Sequence, residues 1–115
     1  MNPIDILKTA ARALDEKKAQ ELTVIRVENL TVLADYFVLA TATSAPHVRA
    51  LADITEEKLK QAGVQPHHIE GRATGWILLD YGSVVIHIMS AKNREFYNLE
   101  HTWSDGEQVD PQTLL

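Results

Sequence analysis

The chain has 115 residues and a formal net charge of −5, a length that suits one domain. It contains no cysteine, which excludes disulfides, a thiol nucleophile and zinc sites built on thiolates. No apolar run approaches the ~20 residues of a membrane span, and the N-terminus lacks the apolar region of a signal peptide. We therefore expect a cytoplasmic protein that does not bind membranes.

The negative charge is concentrated near the C-terminus. Residues 93–115 contain Arg94 against five acidic residues, a balance of −4, whereas the rest of the chain sums to −1. Direct binding of nucleic acid needs a surplus of Lys and Arg, and no basic stripe is present. The acidic end either contacts a basic protein or is a solvated tail that aids solubility.

The first predicted element is a helix, followed by two strands. Asn2 can cap the helix, Pro3 suits its first position, and one face would carry Ile4, Leu7, Ala11 and Leu14. In the first strand Ile25 and Val27 alternate with polar residues, which predicts one buried face. Residues 36–42, rich in aromatic and apolar side chains, form the second predicted strand.

A second helix follows, with Ser44 as its cap, Pro46 in its first turn and Gly63 at its end. Its buried face would carry Val48, Leu51, Ala52, Thr55, Leu59 and Ala62. A short extended segment is predicted at residues 69–72. The order strand, helix, strand indicates a crossover unit, for which a right-handed connection is the rule.

Residues 76–89 are predicted to form a β-hairpin, because two apolar runs flank a turn-like segment at residues 80–83. With Tyr81 and Gly82 as the loop, Leu79 would pair with Val84. One hairpin face is then aliphatic and is expected to lie in the core: Ile77, Leu79, Val84, Ile86 and Ile88. The other face is mixed: Trp76, Leu78, Asp80, Ser83, Val85, His87 and Met89.

The last predicted helix is capped by Asn93 and carries Phe96, Leu99 and Trp103 on one face. We expect a folded domain over residues 1–104 and a loosely ordered acidic tail over residues 105–115. The element order predicts an α/β fold, a single domain with a mixed central sheet of about five strands and helices packed on it.

No set of residues predicts catalysis, a metal site or a cofactor. The five histidines have no recognised ligand spacing. Nucleophile elbows and glycine-rich phosphate loops are absent from the sequence. Asp80, at the hairpin turn, has no second carboxylate two residues away, as two-metal catalysis would need.

The mixed hairpin face is the candidate functional site. Trp76 could lie in the core or in a contact with another protein. A tryptophan beside methionine and a few polar groups has the composition of a protein-binding patch. The residues predicted to bind a partner are Trp76, Leu78, Asp80, Tyr81, His87 and Met89.

An ordered set of motifs covers the chain from the first helix to Trp103. They are ADYFVLA at 34–40, TS at 43–44, HV at 47–48, AD at 52–53, EG at 70–71, WILLDYG at 76–82, VVIHI at 84–88 and REFYNLE at 94–100. This set resembles the Iojap-like ribosomal silencing factors. Ser83 departs from the pattern, because the family often has an acid after the glycine.

The resemblance implies a translation regulator without catalytic activity. Such a protein binds the large ribosomal subunit through its ribosomal protein number fourteen and keeps the small subunit from joining when nutrients are scarce. The implied fold is similar to that of nucleotidyltransferases without their active-site acids. Two alternatives stay open: a degenerate nucleotidyltransferase-like enzyme, and a small-molecule regulatory domain that forms a homodimer. A homodimer of the free silencing factor is also left open.

Overall fold

The structure is a computed structural model that describes residues 2–71 and 75–115. Its helices are α1 (Pro3–Glu16), α2 (Ala45–Gln61), α3 (Ala91–Tyr97) and α4 (Leu99–Thr102), with a 3-10 helix at Pro111–Leu114. Its strands are β1 (Gln20–Arg26), β2 (Tyr36–Ala42), β3 (His68–Glu70), β4 (Trp76–Asp80), β5 (Val84–Ser90) and β6 (Glu107–Val109). Arg72, the predicted end of the third extended segment, lies outside the described residues.

The strands form one mixed sheet in the order β3-β4-β5-β2-β1-β6. The central pair β2 and β5 is parallel, and the other neighbouring strands are antiparallel. Parallel neighbours need a long connection, and here the chain between β2 and β5 contains α2, β3 and β4. The predicted α/β class and mixed sheet are confirmed, with six strands where about five were expected.

Helices α1 and α2 cover the first face of the sheet. Both begin as predicted: Asn2 Oδ1 accepts the Asp5 N–H at 2.9 Å, and Ser44 Oγ accepts the His47 N–H at 3.2 Å. Ile4 is 42% exposed, so its predicted place in the buried stripe is wrong. The buried residues of α1 are Ile6, Leu7, Ala10, Ala11, Ala13 and Leu14. This packing forms the main hydrophobic core.

The hairpin of β4 and β5 has a register two residues away from the predicted one. Leu79 pairs with Ile86 rather than with Val84, and the Tyr81 N–H donates to the Val84 carbonyl. The loop is therefore Gly82 and Ser83, and Gly82 has a φ of +82° that glycine adopts readily. A shift of two residues keeps every side chain on its face. The predicted aliphatic face is accordingly buried.

The last eleven residues pack on the domain, so the expected loose tail is wrong. Strand β1 would otherwise be an open edge, and β6 pairs with it, Val24 opposite Val109. Gly106 lies so close to Ile25 that a side chain would collide with it. Leu114 is buried against α1 in the main core. Backbone pairing and one apolar anchor thus order a segment whose composition is polar.

Paired substitutions at the C-terminus test this packing. Leu114→Ala should lower the free energy of unfolding by about 2–4 kcal/mol, because it removes buried contacts and leaves a cavity. Leu115→Ala is the matched control, since Leu115 is 40% exposed and surface changes stay within about 0.5 kcal/mol. Urea unfolding of both variants measures the difference. Equal effects would indicate a tail that does not pack.

Candidate functional site

The second face of the sheet is only partly covered. Helix α3 packs on β2 and β5, and Leu99 and Trp103 pack on a smaller apolar cluster formed by β1, β2 and β5. Alternate residues of β4 stay partly exposed. We define the open sheet surface as Trp76, Leu78 and Asp80 of β4 with His68 and Glu70 of β3, which the antiparallel register places side by side.

Trp76 is held in place from two sides. Its indole Nε1–H donates to Nδ1 of His87 at 3.1 Å. Its ring lies 4.8 Å from the ring of Tyr97, measured between centroids. These contacts position the indole beside a recess of about 270 Å³ lined by Glu70, Gly71, Trp76 and Leu78. The open sheet surface therefore has an ordered aromatic group at the end where β4 begins.

Buried His87 helps to hold the indole of Trp76 in place. It is 6% exposed, and its ring lies 5.3 Å from that of Phe37, edge to face. Burial lowers the pKa of His87 to about 4, so the imidazole is neutral at pH 7. Because Nδ1 accepts from Trp76, Nε2 carries the proton, and it has no hydrogen-bond partner among the described residues.

The six residues predicted to bind a partner fall into two groups. Trp76, Leu78 and Asp80 are partly exposed on the open sheet surface. The other three, Tyr81, His87 and Met89, are buried. The expectation that all six share one accessible face is corrected on this point.

Each burial has a structural reason. Tyr81 stands opposite Val84 and packs in the main core, where burial raises the pKa of its hydroxyl to about 12. His87 and Met89 belong to β5, which has strands on both sides and α3 above it. These three residues can support the surface but cannot touch a partner.

Tyr97 contacts Trp76 although no pattern in the sequence indicated it. Ser90, not Asn93, caps α3: its Oγ accepts the Asn93 N–H at 3.1 Å. Asn98 adopts a left-handed conformation with φ +44° and separates α3 from α4. Phe96 consequently points to solvent, 78% exposed, instead of sharing a buried face with Leu99 and Trp103. Asparagine tolerates this conformation, which is the signal that could have indicated the break.

Buried Arg94 fixes helix α3 to the sheet. It is 5% exposed, and its guanidinium donates to the Glu21 carbonyl, Thr41 Oγ1, Thr23 Oγ1 and Glu100 Oε1. Glu21 has φ +48° at an irregularity in β1 that turns its carbonyl out of the regular ladder. Arg94 thus determines where α3 places Tyr97 against Trp76.

The acids of the open sheet surface are engaged in local structure. Asp80 Oδ1 accepts the Gly82 N–H at 2.8 Å, as a turn-forming aspartate does. Glu70 Oε1 lies 2.7 Å from His68 Nε2. Within residues 2–71 and 75–115, no group of three or more His, Asp or Glu side chains could hold a metal ion. No helix in the same ranges is long and apolar enough to cross a membrane.

Comparison with known proteins identifies the family. The family described as ribosomal silencing factor during starvation, RsfS, matches residues 1–115. The chain belongs to the RsfS family. It is 35% identical to the ribosomal silencing factor RsfS of Bacillus subtilis over 111 residues, 96% of this chain and 94% of that protein.

Two further relatives extend the comparison. A crystal structure of a protein from Chromobacterium violaceum has a TM-score of 0.88 and 34% identity, and covers 96% of this chain and 92% of its own. The mouse protein named mitochondrial assembly of ribosomal large subunit protein 1 is 34% identical over 105 residues, 88% of this chain and 45% of that protein. The likeness to a silencing factor inferred from the motifs is thus confirmed.

Substitution of Arg94 tests its role in fixing α3. Arg94→Met should lower the free energy of unfolding by about 2–4 kcal/mol, because buried acceptors lose their donors. Arg94→Lys should recover only part of this loss, since an ammonium cannot reproduce the planar fork. Arg26→Met is the control, because Arg26 is 40% exposed in its ion pair with Glu28. Equal stability of the Met variants would contradict the role.

The buried imidazole of His87 predicts a pH dependence. The unfolded chain binds a proton at this residue near pH 6.5, whereas the fold resists it down to about pH 4. The contribution of His87 to the free energy of unfolding should therefore be constant above pH 6.5. As the pH falls toward 4, the free energy of unfolding should decrease by on the order of 3 kcal/mol. The measurement is urea unfolding at several pH values for wild type and His87→Gln. His101→Gln is the exposed control; identical slopes for all three proteins would refute the assignment.

Proposed function

We propose that this RsfS-family protein acts in the cytoplasm by binding the large ribosomal subunit through its ribosomal protein number fourteen. The bound protein sterically blocks joining of the small subunit and so silences translation under nutrient limitation. The observation that supports this proposal is the open sheet surface, with an ordered, partly exposed Trp76 at one end and the aromatic residues of α3 beside it.

The composition of this surface suits a protein partner. Binding energy at interfaces concentrates in Trp, Tyr and Arg residues surrounded by contacts that exclude water. The rings of Trp76 and Tyr97 lie 4.8 Å apart with their planes tilted by 50°, and the ring of Phe96 lies 5.0 Å from that of Tyr97. Since neighbouring contacts already hold Trp76 and Tyr97, binding costs less side-chain conformational entropy than it would with mobile side chains.

Charge favours a basic partner. The chain carries −5 overall, and Glu70 and Asp80 lie on the open sheet surface itself. An acidic surface speeds encounter with a basic protein and selects its orientation more than it adds affinity. Ribosomal proteins are commonly basic. The name of the mouse relative refers to the large ribosomal subunit, which is the subunit proposed here.

The proposed mechanism requires occupancy and no catalysis. Two bodies cannot occupy one docking surface, so a bound factor excludes the small subunit for as long as it stays. At a concentration of 100 times the dissociation constant, binding shifts a competing equilibrium by roughly 2.7 kcal/mol. We infer that Asp80 has no catalytic part, which its structural role in the hairpin turn supports.

Trp76→Ala should weaken binding to purified large subunits about 30-fold or more, the equivalent of ~2 kcal/mol for a residue at the centre of an interface. Tyr97→Ala, which removes the neighbouring ring, should weaken binding in the same direction. Ile4→Ala is the matched control, because Ile4 is exposed on α1 at the opposite face of the sheet. Co-sedimentation in sucrose gradients measures binding, and thermal unfolding measures the fold.

Two results would contradict the proposal, and a third would leave the decision to Tyr97→Ala. If Trp76→Ala binds large subunits with the affinity of wild type, the open sheet surface is not the binding site. Unfolding of the variant at the assay temperature would place Trp76 in the core, and Tyr97→Ala would then decide. If the wild-type protein binds large subunits yet leaves subunit joining unchanged, steric exclusion is wrong.

A further inference from the structure

The loop between β1 and β2 exposes a cluster of aliphatic side chains. Val32 is completely exposed, Leu33 is 78% exposed and Leu30 is 43% exposed. Single apolar residues on a surface are ordinary, whereas a contiguous patch indicates an interaction site. These three occur within four consecutive residues. We call residues 30–33 the aliphatic loop tip.

Hydrogen bonds inside the loop give it a defined shape. The N–H groups of Leu30 and Thr31 both donate to the Val27 carbonyl, and the Leu33 N–H donates to Thr31 Oγ1 at 3.1 Å. The base of the loop is closed by the Val27 N–H, which donates to the Asp35 carbonyl at 2.7 Å. The exposure of the aliphatic loop tip therefore belongs to an ordered loop rather than to a frayed segment.

The aliphatic loop tip is separate from Trp76. The Asp35 N–H donates to the Ser83 carbonyl, which places the loop beside the hairpin turn. Trp76 begins β4, at the end of the hairpin away from that turn. Five strand residues span roughly 16 Å at 3.3 Å per residue. The aliphatic loop tip and Trp76 thus lie toward opposite ends of the hairpin, and contacts made by the loop are distinct from those made by Trp76.

We propose that the aliphatic loop tip is a second docking point for the large ribosomal subunit. It inserts Val32 and Leu33 into an apolar recess on a protein component of the subunit, edged by lysine or arginine. This inference rests on the proposed function. The loop adds a contact beyond the open sheet surface and so lengthens the time that the factor stays bound.

The charges around the aliphatic loop tip favour a basic protein partner. Asp35 closes the loop, Asp80 lies beside the adjoining turn, and Arg26 is already paired with Glu28 and Glu107. The acidic surroundings repel the phosphates of RNA and of lipid headgroups. They would also repel the same loop of a second copy. A basic protein surface with an apolar recess is the complementary partner.

The test uses the full chain and purified large subunits. The double variant Val32→Ser with Leu33→Ser should bind at least tenfold more weakly, mainly through faster dissociation. Its unfolding midpoint should equal that of wild type, because both side chains are exposed. Val32→Met with Leu33→Met keeps the loop apolar and should retain binding. Ile4→Ser is the control for loss of an exposed aliphatic residue elsewhere.

The outcomes separate this inference from the proposed function. If Trp76→Ala loses binding while the serine double variant binds like wild type, the proposed function stands and the second docking point is refuted. Loss of binding by the Ile4→Ser control to the same degree also refutes it. If light scattering shows a wild-type dimer that the serine variant dissociates, the loop joins two copies and the inference is wrong. If the wild-type protein does not bind large subunits, both the proposed function and the second docking point are refuted.

Discussion

The buried guanidinium of Arg94 connects the parts of the molecule on which the candidate site depends. One side chain joins α3 to β1 through Glu21 and Thr23, to β2 through Thr41, and to Glu100 of α4. A buried cation is costly unless its donors are satisfied. Here the irregular start of β1 supplies a carbonyl where a regular strand would not. The position of α3, and with it the position of Tyr97, follows from that match.

The two faces of the sheet differ in how far helices cover them. The first is closed by α1 and α2 and contains most of the buried apolar residues. The second is closed over β2 and β5 and open over β4 and β3. His87 lies at the boundary, where it accepts a hydrogen bond from Trp76. Stability thus comes mainly from one face, so the other can present an aromatic group to a partner.

The sequence predicted much of the fold and part of the candidate site. Alternation in residues 76–89 assigned Ile77 and Leu79 to the core and Trp76 and Leu78 to the other face, and a register error of two residues could not change this. It could not show that His87 and Met89 are covered, because α3 follows β5 directly but is held on the sheet by contacts of Arg94 with distant residues of β1 and β2. Tyr97 was missed because the break at Asn98 is a single left-handed residue.

Local signals in the sequence determined the caps at Asn2 and Ser44, the order of helices and strands, the α/β class and the family motifs. These properties depend on residues close together in the chain. Only the tertiary structure decided the pairing of the acidic end with β1, the anchoring of Leu114 and the burial of Tyr81. Each of these depends on which surface a distant segment leaves free. Accessibility, and therefore which residues can touch a partner, is a property of the assembled fold.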